Sequence, residues 1–173
     1  MTHRQISWEN LLDLAKVCNT IVISGCQRSG TTYCAEALAK ELNYKHHDEH
    51  DFGVNNFTNF LKLVRADYKK VIQAPAILHK LKSVEMTTLI VIMTRDEKDV
   101  AASMIKHSWF KNHGQEEFSK FALGAPSSPE HIYRTKINYS KGLKAVELDY
   151  SELRKTHGFV DKRTGWGIKQ TKN

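Results

Sequence analysis

The residues best placed to do chemistry are Gly25-Cys26-Gln27-Arg28-Ser29-Gly30-Thr31-Thr32, with two glycines, a cation between them and two hydroxyls at the end. Glycines at this spacing let the main chain curl into a concave nest of N–H groups, and a helix starting just beyond it directs its positive end at the same anion. Arg28 adds a charge, and Thr31 and Thr32 add donors, so the segment is suited to capturing a phosphate-like group. It departs from the GxxxxGK[ST] pattern of nucleotide triphosphatases, because Thr31 stands where that pattern has lysine. The apolar run Thr88–Met93 continues into Thr94-Arg95 before the first carboxylate, Asp96. A cation where a magnesium-holding acid would stand predicts an anionic site that uses no metal.

Such a loop works only if a strand and a helix hold it. Thr20–Ser24, TIVIS, is an uncharged β-branched run of the kind buried on both faces of a parallel sheet, and Ala35, Leu38, Ala39 and Leu42 define one face of a helix over Thr31–Leu42. A second buried run, TLIVIM at 88–93, hands over to a helix from about Glu97. Ser7–Val17 reads as a short amphipathic helix, Val71–Ala74 and Ala145–Leu148 as strands, and Asn43–Val54 as a polar loop before a helix carrying Phe57, Phe60, Leu61 and Val64. GAPSSP at 124–129 reads as a surface loop between polar helices. The alternation predicts one compact α/β domain over 1–173, a three-layer sandwich around a parallel sheet, with 160–173 a basic loop or tail.

GCQRSGTTY resembles the 5′-phosphosulfate loop of the sulfotransferases, which carry PKSGTT or PRSGTT after the first strand and use 3′-phosphoadenosine 5′-phosphosulfate (PAPS). TRDEKDVAASM is similar to that family's RNPKDVAVS, in which an arginine and a serine eight positions later grip the donor's 3′-phosphate. Arg95 and Ser103 stand at that spacing. Leu148-Asp149-Tyr150-Ser151-Glu152-Leu153 resembles the YEDL segment, and Lys162-Arg163-Thr164-Gly165-Trp166-Gly167 the RKG loop. Thr164 replaces a glycine there, and QAPA at 73–76 lacks the family's usual histidine. The resemblance implies the P-loop sulfotransferase fold, with PAPS as co-substrate and PAP as product. It places the loop residues, Arg95, Ser103, Lys162 and Arg163 on the donor.

Sulfuryl transfer needs a general base for the acceptor and a cation for the leaving phosphate. Arg28 supplies the cation. Glu49, in HHDEHD beyond the helix that follows the loop, stands where the tyrosylprotein branch takes its base from a GEE-type segment; His79, four residues past Pro75, is the second choice. A solvated loop acid is the plain alternative for Glu49. His46 and His50 are four apart, but no second ligand group is identifiable, so no metal is assigned. The acceptor, a small molecule, glycan or peptide, is not encoded in any motif.

Composition limits the other readings. With 26 Lys+Arg against 19 Asp+Glu the charge is +7, and 40% hydrophobic residues place the chain in the globular range. No apolar run reaches the ~18 residues a membrane span requires, and MTHRQISWENLL has no signal-peptide core, so a cytoplasmic protein without a membrane partner is expected. Cys18, Cys26 and Cys34 are odd in number and match no ligand spacing, which predicts reduced thiols. No RNP-type aromatic motif or basic helix marks a nucleic-acid surface. Two further functions remain open, an ATP-dependent phosphotransferase with an unconventional loop and a non-catalytic nucleotide-binding module.

Overall fold

The computed structural model describes residues 3–54, 56–107 and 128–157. In chain order the elements are β1 (Arg4–Gln5), α1 (Trp8–Lys16), β2 (Thr20–Gly25), α2 (Thr31–Leu42), β3 (Lys45–His47), α3 (Glu49–Phe52), α4 (Phe57–Arg65) and β4 (Lys70–Gln73). A 3-10 turn (Leu78–Ser83) follows, then β5 (Leu89–Thr94), α5 (Glu97–Lys106), α6 (Pro129–Ser140), β6 (Val146–Asp149) and α7 (Tyr150–His157). The strands form one six-stranded sheet in the order β1-β6-β5-β2-β4-β3, every pair parallel.

All six residues of β2 are buried, as the TIVIS run predicts. Ile21 and Ile23 point to one side with Val91 and Met93 of β5, under α1, α2 and α7. Val22 points to the other with Ile90 and Ile92, against Phe60, Ile77, Leu78 and Leu81. Alternation into two cores is what a sheet covered on both faces requires, and the helices supply the cover.

From β2 the chain steps to β3, then to β4 beside β2, and next appears on the opposite side as β5. The strand order reverses at β2, and the carboxyl end of the strands at such a reversal is the place where open α/β sheets take ligands. The 25–32 loop fills that place.

Three features escaped the sequence reading. The two-residue β1 is too short to show a period. The stretch read as a loop over 43–54 contains β3 and the four-residue α3, which polar side chains at a sheet edge conceal. Ser128 caps α6 and Pro129 opens it, while the rest of GAPSSP and the 160–173 tail lie outside the described residues.

Candidate functional site

The loop is shaped by three residues with positive φ. Gly25 has φ +134°, and a Cβ there would stand 2.6 Å from the Met93 carbonyl oxygen of the adjoining strand. Gly30 has φ +98°, and a Cβ there would stand 2.5 Å from the Tyr150 ring. Arg28 adopts φ +72° although it is not glycine, and strain of this kind persists only where surrounding contacts enforce it. Ser29 Oγ donates to the Cys26 carbonyl at 2.6 Å and closes the turn. Gly30 is the N-cap of α2 and provides no side-chain cap, so the first helical N–H groups face the loop without a side-chain acceptor at the cap.

One flank of the loop gathers the residues expected on the donor. Arg28 Nε donates to Ser103 Oγ at 2.8 Å, and Arg95 Nη1 donates to the Arg28 carbonyl at 3.5 Å. The Arg95 guanidinium also lies 4.8 Å from the centre of the Tyr150 ring and 3.3 Å from Asp99. Its carbonyl accepts from Tyr133 Oη at 2.6 Å. Arg28, 67 residues before Arg95, thus joins Arg95 and Ser103 in one half-buried cationic group beside the helix start. Tyr150, the aromatic of the LDYSEL segment, packs between the loop's second glycine and Arg95, a role the sequence reading did not assign to it.

The other flank is sealed. Glu49 opens α3, whose cap Asp48 accepts from the His50 N–H at 2.7 Å. The short helix is tied to the sheet edge by His47, whose Nδ1 meets Asp51 at 2.8 Å and whose Nε2 meets Tyr68 Oη at 3.0 Å; a neutral ring protonated on Nδ1 satisfies both. Phe52 packs edge-on against Phe60. Glu49 is thereby turned inward, only 9% exposed, which replaces the picture of a solvated loop acid. Its Oε1 accepts from the Ala76 N–H at 2.5 Å. Burial pushes the carboxyl up to about 7, opposed by that hydrogen bond and by the charge of Lys136.

Lys136, on α6, was not singled out in the sequence. It is fully buried, and its Nζ donates to Gln27 Oε1 of the loop at 2.5 Å and to the Pro75 carbonyl at 3.1 Å. Burial lowers its ammonium to about 8, resisted by Cys26 and Glu49. The signal was present: Ile132, Lys136 and Ser140 recur at helical spacing, and all are buried.

The remaining sequence-predicted residues fall as follows. Thr31 is buried and Thr32 half-buried at the start of α2. The Cys26 side chain packs with Val100, Met104, Ile132 and Tyr133 beneath the loop. His79 is 8% exposed in the 3-10 turn, where its carbonyl accepts from Tyr139 Oη at 2.7 Å. Lys162 and Arg163 lie outside the described residues. Among the described residues no group of three or more His, Cys, Asp or Glu is arranged to hold a metal ion, and no helix is long and apolar enough to cross a membrane.

Comparison with solved structures places this arrangement in a known architecture. YorR from Bacillus subtilis, solved in complex with phosphorylated GDP, superposes with a TM-score of 0.50 at 15% identity over 79% of this chain and 92% of that one. The likeness is one of fold. Shikimate kinase from Acinetobacter baumannii, solved with shikimate, gives a TM-score of 0.49 at 12% identity over 79% of this chain and 86% of that one. No family model matches the chain, and no curated protein does. The α/β phosphate-loop fold expected from the sequence is therefore the fold observed, whereas neither of these two structures is named as a sulfotransferase.

Proposed function

We propose that this chain is a transferase that moves a sulfuryl group from PAPS to a hydroxyl or amine acceptor. The observation that carries the reading is the pairing, across one phosphate loop, of the cationic Arg28–Arg95–Ser103 group with a buried carboxylate whose proton affinity lies near neutrality. A general base is most effective when its pKa is close to the working pH. In this reading the loop N–H groups, Thr31, Thr32 and Arg28 hold the 5′-phosphosulfate, and Arg95 with Ser103 takes the 3′-phosphate. Glu49 accepts the acceptor's proton as the acceptor's oxygen or nitrogen bonds to sulfur. The bond from sulfur to the bridging phosphate oxygen breaks in line, its electron pair leaves with PAP, and Arg28 offsets the charge that develops there. Lys162 and Arg163 are assigned to the 3′-phosphate by resemblance alone. His79 is the base if Glu49 is not.

A second reading, an ATP-dependent phosphotransferase, draws on the fold shared with YorR and on the nucleotide that protein holds. The absent loop lysine and the Thr94-Arg95 end of β5 weigh against it. Calorimetric titration with PAP, with magnesium ATP and with 5′-AMP separates the two. Preference for PAP without metal is expected. Preference for magnesium ATP overturns the sulfuryl reading in favour of phosphoryl transfer.

A further inference from the structure

Two lysines are fully buried among the described residues, Lys70 and Lys136. Lys70 stands at the start of β4, and its Nζ donates to the carbonyls of Ala66 and Tyr68, four and two residues back. Ala66 is the C-cap of α4, and a lysine that satisfies the last carbonyls of a neighbouring helix is a local structural device. Lys136 is held in the opposite way. Its partners Gln27 and Pro75 are 109 and 61 residues away and lie in the loops after β2 and β4. The neighbouring N–H of Ala76 binds Glu49, from the segment after β3. Two loops at the carboxyl end of the sheet thus meet at one ammonium, and the segment after β3 joins them through the residue next to Pro75.

Sealing an ammonium from water costs several kcal/mol unless opposite charge and hydrogen bonds compensate it, and a hydrophobic side chain of similar volume commonly gives a more stable core. The phosphate loop itself carries no lysine, since Thr31 occupies that position. We infer that Lys136 is a positioning residue for the transfer reaction, supplying from beneath the loop the ammonium the loop lacks, fixing Gln27 and holding Glu49 in its ionised form. This rests on the reading of Glu49 as base. The charged and titratable groups around the pair are Asp48 beside Glu49, which opposes ionisation, and Cys26 beside Lys136.

The test uses the full chain labelled with ¹³C at glutamate carboxylates, with the Glu49 signal assigned through Glu49→Gln. Lys136→Met is expected to raise the Glu49 titration midpoint by at least about one pH unit, because loss of a close opposite charge commonly moves a carboxylate by about 1–3 units. Lys136→Gln keeps donors toward Gln27 and Pro75, removes only the charge, and should give the same rise even if Lys136→Met does not fold. Lys136→Arg should keep the midpoint near that of the parent, and Lys70→Met should leave it unchanged. A midpoint unmoved in Lys136→Gln overturns the inference, as does an equal rise in Lys70→Met. These titrations are made without nucleotide, so they judge the Lys136–Glu49 link independently. Failure of the parent chain to bind PAP or magnesium ATP would instead defeat the transfer reading. If that reading holds, the acid limb of the turnover profile moves to higher pH by the same interval in Lys136→Gln.

Discussion

The two flanks of the phosphate loop handle charge in different ways. On the α5 side, Arg28 and Arg95 are half-buried and held by a hydroxyl, a carbonyl and an aromatic face, with Asp99 reaching Arg95 from the solvent edge. On the α6 side, Glu49 and Lys136 are sealed, and burial moves both toward neutrality, the carboxyl to about 7 and the ammonium to about 8. Half-exposed guanidinium groups suit binding of a polyanion, whereas a buried acid near neutrality suits proton transfer. In the proposed function, binding and proton handling fall to two flanks that share one loop, Arg28 facing the first and Gln27 the second.

The largest effect that could break this division is in Glu49→Gln. Turnover should fall by about 10²–10⁴, the usual contribution of a general base, while PAP affinity measured by calorimetry stays within about twofold. Full activity would move the base to His79 or elsewhere. Arg28→Ala addresses the binding flank and should weaken PAP by about 1.5–3 kcal/mol, the range of a hydrogen bond to a charged group. Unchanged affinity would remove the loop from the donor site. Ser103→Ala should cost about 0.5–1.5 kcal/mol toward PAP and less toward adenosine 5′-phosphosulfate, which has no 3′-phosphate and feels the change only through Arg28. Equal losses for both ligands would contradict the placement of that phosphate.

The smallest effect is on stability and separates the flanks without any ligand. Between about pH 4.5 and 7 the folded chain keeps the Glu49 proton that the unfolded chain has released, so stability falls as pH rises. Between about 8 and 10.5 the unfolded chain holds the Lys136 proton that the folded chain has lost, so stability rises with pH. Urea denaturation across this range should show a minimum near pH 7–8, with limbs no steeper than about 1.4 kcal/mol per pH unit for one proton. The minimum should vanish in the Glu49→Gln/Lys136→Met double variant and persist in Arg28→Ala.

Much of the cationic flank was legible in advance because its signals are local. GCQRSGTT lies between a buried strand and a helix, and Arg95 with Ser103 falls on a second strand-to-helix junction, so the residues and their supports adjoin in sequence. The sealed flank was only half legible. Glu49 could be named, but its helix has four residues and shows no period, and its burial follows from the His47–Asp51–Tyr68 anchor at the sheet edge. Lys136 carried a helical-face signal that reads as core, and nothing near it in sequence points to Gln27, 109 residues earlier.

The sequence by itself determined where the phosphate loop lies, that a parallel sheet carries it, and which cations accompany it, because glycine placement and hydrophobic period act over a few neighbouring residues. The tertiary structure decided which charges meet. Parallel packing places β4 and β3 on one side of β2, so the segments that follow these three strands converge with α6 and strip water from Glu49 and Lys136 together. Proton affinity depends on that loss of water and on neighbours brought from distant positions, which no local pattern encodes.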